Sequence, residues 1–185
     1  LSEEAPTNFH YIKPIKEAPD RKMGKGKELP LIDCFRAPCK SGCPFGQDIP
    51  EYIELCGKGL FIEALQVITA KNPLPFITGT ICAHHCMDKC MRNHYECPVN
   101  IRGTKLQAAE GAFEELLAIT EMSREGEKVA IIGGGPAGLA AAYHAQKHGL
   151  QATVFEKRET LGGIVRNVIP GFRIDDLSLI HISEP

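Results

Sequence analysis

The sequence predicts a small, mostly helical domain followed by the beginning of a doubly wound α/β domain, within 185 residues. Two observations carry this prediction. Six of the eight cysteines lie in two short rows ahead of residue 91, among prolines and glycines that keep the helices short. A glycine-rich turn, Gly133–Gly138, then stands between an apolar strand pattern and an alanine-rich helix pattern. That order is typical of the opening of a β-α-β unit.

Composition and charge exclude several classes of function. The formal net charge is −2, and no basic stripe suited to nucleic acid is present. No apolar run reaches the roughly 18 residues that a membrane-spanning helix needs. The hydrophobic fraction of 43% is ordinary for a globular protein. We therefore expect a cytoplasmic protein with neither a nucleic-acid partner nor a membrane span.

The two ends of the chain differ in character from the rest. Residues 1–28 are polar, rich in proline and lysine, and predict a linker or mobile arm. Residues 177–185 match the translation of a common sequencing adapter, so we expect an artefact there. In the natural gene, different residues should then follow Asp176 and continue the α/β domain, which begins near residue 127.

Residues 29–120 predict helices with little apolar core. The first clear helix begins after Asp48 as its N-cap, with Pro50 in the first turn. A longer helix is predicted from about Gly103 to Thr120. The expected inward positions of the first two helices are Ile49, Tyr52, Ile53, Cys56, Phe61, Ala64, Leu65 and Ile68. A small domain with little core needs further stabilisation by cross-links or bound metals, and metal clusters would supply it.

The cysteine rows carry the chemistry of this helical domain. The rows are Cys34, Cys39 and Cys43, then Cys82, Cys86 and Cys90. Disulfides would fit the even cysteine count, but neighbours three or four residues apart rarely bridge. Zinc favours C-x2-C pairs, and neither row contains one. Tight rows of thiolates favour iron–sulfur clusters, and two rows of three could serve two clusters by crossing over.

Four residues near the rows have alternative interpretations. Cys56 lies on an apolar helix face and is expected to be a buried thiol. Cys97 is either a spare ligand or a structural thiol. His84 and His85 lie between two of the cysteines, where hydrogen bonding or exposure is more usual than ligation.

The glycine turn predicts a dinucleotide site. Lys128–Ile132 is the expected buried strand before it, residues 136–148 are the helix after it, and Ala152–Glu156 is the second strand. The first glycine allows the tight turn, the second a close approach to pyrophosphate, and the third close helix–strand packing. Glu156 is placed to accept from a ribose hydroxyl and disfavours a 2′-phosphate, hence NADP, at this turn. The expected cofactor-binding residues are Gly133, Gly135, Pro136, Ala137, Gly138, Glu156 and Gly163.

Residues Lys27 to Glu110 resemble a known cluster domain. Related domains occur in the small subunit of bacterial glutamate synthase, in the N-terminal part of dihydropyrimidine dehydrogenase and in related NAD(P)H-linked flavoproteins. The runs Glu28–Cys39 and Asn72–Cys82 most resemble iron–sulfur subunits of selenate reductase type. The resemblance, which extends to about residue 176, implies a ferredoxin-like helical iron–sulfur domain followed by the start of a Rossmann-like FAD-binding domain.

The resemblance also implies two sets of cluster ligands. One [4Fe-4S] cluster would take Cys34, Cys39 and Cys90, with Leu31 standing where the family has a further cysteine. The other would take Cys43, Cys82 and Cys86, with Lys105 where the family has Gln or Glu. Each cluster thus lacks one expected ligand, and either Cys97 or Asp33 could substitute, or one site could be degenerate.

The expected function is electron transfer. Gly133–Ala142 and the later Leu161–Val165 and Ile169–Arg173 resemble the FAD-binding segments of this flavoprotein family. In the whole protein, NAD(P)H would reduce FAD, and FAD would exchange single electrons with the clusters and with partner redox subunits or domains. We assign no catalytic residue. The alternatives are a glutamate synthase small-subunit relative and a non-catalytic, cluster-bearing adaptor.

Overall fold

A computed structural model describes residues 37–94, 96–120 and 125–174. The predicted arm at residues 1–28, the ligand candidate Cys34 and the predicted adapter segment lie outside the described residues. The fold class agrees with the prediction: a helical domain is followed by a β-α-β unit. No helix among the described residues is long and apolar enough to cross a membrane.

The helical domain consists of six α-helices and one short 3₁₀ helix within residues 37–94 and 96–120. The α-helices are α1 (Pro38–Gly42), α2 (Ile49–Gly57), α3 (Phe61–Thr69), α4 (Pro75–Ile81), α5 (His85–Asp88) and α6 (Ile101–Ile119), and the 3₁₀ helix is Met91–His94. The long helix α6 packs across α2, α3 and α4. This arrangement leaves α1 and α5 packed against each other beside the main core.

Helix ends differ from the sequence prediction in three places. Pro73 and Pro75 predict the end of the second helix, the one that carries Phe61, Leu65 and Ile68. In the structure Pro75 instead begins α4, because proline fits the first turn, where no backbone N–H is needed. Helix α6 begins at Ile101, since the Asn100 side chain accepts from the Gly103 N–H at 3.1 Å. Asp48 precedes α2 as predicted, but its carboxylate pairs with the Lys40 ammonium and makes no side-chain cap.

The core of the helical domain follows the predicted helix faces. Ile49 and Tyr52 of α2 and Ala64, Leu65 and Ile68 of α3 are fully buried. Alanines of α6 let the helices pack closely, and the rings of Phe76 and Phe113 meet edge to face with centroids 5.2 Å apart. A second apolar cluster, Ile77, Val165 and Ile174, joins α4 to the segment after β2.

The β-α-β unit consists of β1 (Lys128–Ile132), α7 (Pro136–Lys147) and β2 (Gln151–Phe155), followed by α8 (Gly163–Asn167). The strands are parallel, with Lys128 opposite Gln151 and Ile132 opposite Phe155. Strand β2 therefore ends just before Glu156, one residue earlier than predicted.

The prediction of β1 as a buried strand is wrong for the described residues. Ile132 at its end is 83% exposed, and exposure alternates along the strand. Among the described elements, α7 packs on the two strands, and the described part of the chain places no second layer over the exposed side chains. A strand becomes buried on both faces only when helices cover both.

Candidate cluster sites and nucleotide turn

The end of α1 approaches α5 closely at Gly42. A Cβ on Gly42 would lie 3.2 Å from the Cα of Cys86 and 3.2 Å from the carbonyl oxygen of His85. Only glycine permits this approach without displacing backbone. It brings Cys43, directly after α1, next to the helix that contains Cys86.

The five described cysteines of the two rows divide into two electrostatic groups. Burial raises the pKa of the Cys86 thiol, and the charges of Cys43 and Cys82 raise it further. Burial likewise raises the pKa of Cys39, with a further contribution from Cys90. We call Cys43, Cys82 and Cys86 the inner group, and Cys39 and Cys90 the outer pair. Members of the two rows are thus intermixed.

Tyr52 is buried within electrostatic reach of cysteines from both the inner group and the outer pair. Its side chain is 1% exposed. Burial raises the pKa of its hydroxyl, and the charges of Cys86, Cys43 and Cys39 add to the effect. The helical spacing predicted only that Tyr52 faces the core. A single phenol on an otherwise aliphatic helix face was the signal that could have identified it.

Lys105 of α6 is buried within reach of the inner group. It is 6% exposed. Burial lowers the pKa of its ammonium, whereas the charges of Cys82, Cys43 and Cys86 oppose that shift. The neighbouring Arg102 anchors the same region, because its Nη1 donates to the Cys82 carbonyl oxygen at 3.2 Å.

His84 is held in an unusual conformation between Cys82 and Cys86. Its φ is 47°, in the left-handed region that non-glycine residues rarely occupy. Its backbone N–H donates to the Cys82 sulfur at 3.4 Å. Among the described residues, its buried Nδ1 atom has no hydrogen-bond partner. Strained residues and unpartnered polar atoms of this kind cluster at functional sites.

These residues fit an iron–sulfur cluster by the chemistry of their donors. The described cysteines are all free thiols. In the described ranges, no three His, Cys, Asp or Glu side chains converge closely enough to hold one metal ion. In an iron–sulfur cluster the thiolates are distributed over several irons. The thiols of the inner group have the buried Lys105 within electrostatic reach, and the His84 backbone N–H donates to the Cys82 sulfur.

Two further cysteines, Cys56 and Cys97, lie in the described part of the chain. The Cys56 thiol is half-buried and contacts the Thr104 carbonyl oxygen at 4.0 Å, and burial raises its pKa. That placement agrees with a packed thiol. Cys97 is exposed, and its role as a spare ligand stays a prediction.

The nucleotide turn has the backbone geometry that its glycines predict. Gly133 has φ of 106°, and its N–H donates to the Phe155 carbonyl oxygen at 2.8 Å. A Cβ on Gly138 would collide with the Gly133 carbonyl oxygen. Gly135 is the N-cap of α7, and Pro136 occupies its first position. The turn therefore delivers the helix N-terminus to the end of β1.

Glu156 lies directly beside this turn. Its carboxylate accepts from the Arg158 N–H at 2.9 Å and from the Gly134 N–H at 2.6 Å. These two backbone hydrogen bonds lower its pKa. Glu156 therefore stays ionised at neutral pH, in contact with the turn. Its contact with a ribose stays a prediction.

Two further glycines, Gly134 and Gly163, have no room for a side chain at the turn. Gly134 has no room for a side chain, because a Cβ there would collide with the Leu161 side chain. Gly163, a predicted cofactor-binding residue, packs on Gly135: its own Cβ would fall 2.8 Å from the Gly135 Cα. Three consecutive glycines in the sequence were the available signal for this crowding.

Comparisons with known proteins agree with this division of the chain. Residues 27–116 match the family described as dihydropyrimidine dehydrogenase domain II, 4Fe-4S cluster. Residues 131–183 match the NAD(P)-binding Rossmann-like domain family. The chain therefore carries a helical 4Fe-4S domain followed by the start of a Rossmann-like domain.

Individual relatives are redox proteins. The Escherichia coli K12 protein named "Putative oxidoreductase YgfK" is 43% identical over 159 residues, which are 84% of this chain and 15% of that protein. The glutamate synthase [NADPH] small chain of Mycobacterium tuberculosis H37Rv is 36% identical over 92% of this chain and 35% of the relative. The NADPH-Fe(3+) oxidoreductase subunit beta of Geobacter sulfurreducens PCA is 36% identical over 77% of this chain and 22% of the relative.

The chain is thus a homologue of the putative oxidoreductase YgfK and of the glutamate synthase small chain. It spans 15% of the Escherichia coli relative and 35% of the mycobacterial one.

Proposed function

We propose that this chain is part of an oxidoreductase that passes electrons between NAD(P)H, FAD and [4Fe-4S] clusters. The observation that carries the proposal is the convergence of the two cysteine rows where α1 meets α5. Rows that are far apart in sequence meet there, and the charges of Cys86, Cys43 and Cys39 act together on the buried Tyr52. The nucleotide turn in the same chain supports a dinucleotide partner for them.

The inner group would hold one cluster, and Cys39, Cys90 and Cys34 would hold the other. Bound clusters exchange single electrons, whereas FAD accepts a hydride from NAD(P)H. The chain's own residues supply the thiolates. Cys86 and Tyr52 are buried, and Cys43 and Cys82 are half-buried. Protein environment of this kind tunes the potential of a cluster.

The nucleotide turn would bind FAD. Gly133, Gly135, Pro136, Ala137 and Gly138 would face the pyrophosphate at the N-terminus of α7, where backbone N–H groups and the helix dipole favour negative charge. Glu156, ionised beside the turn, favours a ribose hydroxyl and disfavours a phosphate there. Gly163 would complete the wall of the site through its contact with Gly135.

The particular oxidoreductase we propose is a subunit of selenate reductase type. The alternative is a glutamate synthase small-subunit relative, which the mycobacterial homologue favours. A cluster-bearing adaptor is the non-catalytic alternative. Relatives named as beta subunits of an NADPH-Fe(3+) oxidoreductase and of an NADP(+)-dependent formate dehydrogenase support partner redox subunits.

Anaerobic purification tests the cluster assignment. We expect iron and acid-labile sulfide in equal amounts, with the broad visible absorbance of iron–sulfur proteins. Zinc with no acid-labile sulfide would overturn the proposal. Mixing the full-length protein with NADPH or NADH then separates enzyme from adaptor, because an enzyme bleaches its flavin and an adaptor does not.

A further inference from the structure

The turn of α6 that contains Lys105 packs closely against the end of α4. A Cβ on Gly79 of α4 would lie 2.9 Å from the Leu106 Cβ, so the two helices touch without intervening side chains. On the other side, Arg102 Nη1 donates to the carbonyl oxygen of Cys82, the residue that caps α4. Along α6, Lys105 lies between Arg102 and Leu106, the residues that make these two contacts, and it is 6% exposed.

The charge of Lys105 has no carboxylate partner within the described part of the chain. The ion pairs found there are Lys40–Asp48, Lys58–Glu54, His85–Asp88 and Arg92–Glu96. A buried ammonium is costly unless anionic groups surround it. The groups of opposite sign that act on Lys105 are Cys82, Cys43 and Cys86. Ligation to iron makes cysteines thiolates, and thiolates supply that counter-charge.

We propose that Lys105 is the counter-cation of the cluster held by Cys43, Cys82 and Cys86 and raises its reduction potential. The inference rests on the proposed function, since it requires a cluster at the inner group. Reduction adds one electron, and hence one negative charge, to the site. A fixed cation nearby stabilises the reduced form more than the oxidised form, because its attraction grows with that charge. The electron donor is the reduced flavin in the protein and dithionite in the test.

Three variants separate charge from shape. Lys105→Gln removes the charge, Lys105→Arg keeps it, and Lys71→Gln removes an equal charge from an exposed side chain that contacts the Gly46 carbonyl oxygen. The measurement is a redox titration followed by EPR, with iron and sulfide content as the check on loading. We expect Lys105→Gln to make reduction at least tenfold less favourable, a downward shift of about 59 mV for one electron. Lys105→Arg and Lys71→Gln should stay near the wild-type potential.

Each outcome decides the proposal. A Lys105→Gln shift no larger than that of Lys71→Gln would overturn it, as would an equal fall in Lys105→Arg. If Lys105→Gln folds by circular dichroism but loses the inner cluster while Lys105→Arg keeps it, the charge is needed for assembly and the counter-cation role is supported. Loss of the cluster in Lys105→Arg as well would contradict it. If the wild-type chain holds no cluster, the proposed function itself is refuted. If it holds a cluster whose potential does not depend on Lys105, only this inference is refuted.

Discussion

At the residue scale, the environment of each cysteine distinguishes ligand candidates from packed thiols. Cys86 is buried and electrostatically coupled to Cys43 and Cys82. Cys56, by contrast, is affected by burial alone and contacts the Thr104 carbonyl oxygen. Cys86 and Cys56 therefore have different expected roles, although both are cysteines of the same helical domain.

Replacing Cys86 by serine should remove most of the visible absorbance of the inner cluster and destabilise the helical domain. Cluster binding contributes to folding free energy, so losing a ligand costs stability as well as metal. Cys56→Ala is the matched control and should leave the absorbance unchanged. Absorbance and urea denaturation under anaerobic conditions measure both effects. Equal bleaching by the two substitutions would show that the ligand assignment is wrong.

At the element scale, glycines set how closely the helices approach. Gly42 admits α5 against the end of α1, and Gly79 admits α6 against α4. Both close contacts position members of the inner group, because Cys43 follows α1 and Cys82 follows α4. The geometry of the candidate cluster site thus depends on two positions that carry no side chain.

Gly79→Ala should destabilise the chain by about 1–3 kcal/mol, as overpacking does. The added methyl would meet the Leu106 Cβ at 2.9 Å and its Cα at 3.0 Å, and the latter is backbone that cannot move aside. Alanine's better helix propensity, about 1 kcal/mol, offsets only part of this. Gly57→Ala at the end of α2 is the control, since nothing lies within 4 Å of its Cβ.

Chemical denaturation of both variants checks this prediction. Gly57→Ala should be neutral or slightly stabilising. If Gly79→Ala is as stable as Gly57→Ala, the close contact of α4 with α6 is not present in solution.

At the scale of the whole molecule, the helical domain and the nucleotide-binding unit share an apolar cluster. Ile77 of α4 packs with Val165 of α8 and with Ile174, and Leu74, Ile81, Leu139 and Ile169 surround them. Helix α4 ends at Ile81 with Cys82 as its C-cap, and α8 begins at Gly163 against the nucleotide turn. These apolar side chains therefore connect the candidate iron–sulfur site to the candidate FAD site through the two short helices α4 and α8.

Ile174→Ala should loosen this connection. Ile174 is 1% exposed, and removing a buried isoleucine typically costs about 2–5 kcal/mol. Phe172→Ala is the control, because Phe172 is 87% exposed and its loss should change stability by less than about 0.5 kcal/mol. Hydrogen exchange of α4 and α8 measures the effect. Faster exchange confined to α8 would indicate that the two parts are not coupled through this cluster.

The sequence by itself determined the elements and the chemistry they carry. Helical spacing identified the inward residues of α2 and α3, and the glycine turn between β1 and α7 identified the β-α-β unit, because these patterns depend on neighbours along the chain. Two rows of cysteines indicated a cluster domain for the same reason. These patterns involve residues close together in sequence, so they can be recognised without knowing how the helices pack.

The tertiary structure alone decided which residues of distant elements share a place. It intermixed the two cysteine rows into the inner group and the outer pair, and it buried Tyr52 and Lys105 within electrostatic reach of these cysteines. It also showed that the Glu156 carboxylate accepts a hydrogen bond from the Gly134 N–H of the turn, and that Ile132 is exposed. Spacing along a helix fixes which residues share a face. The partner that meets that face depends on how closely helices approach, and here glycine and alanine at a few contacts decide it.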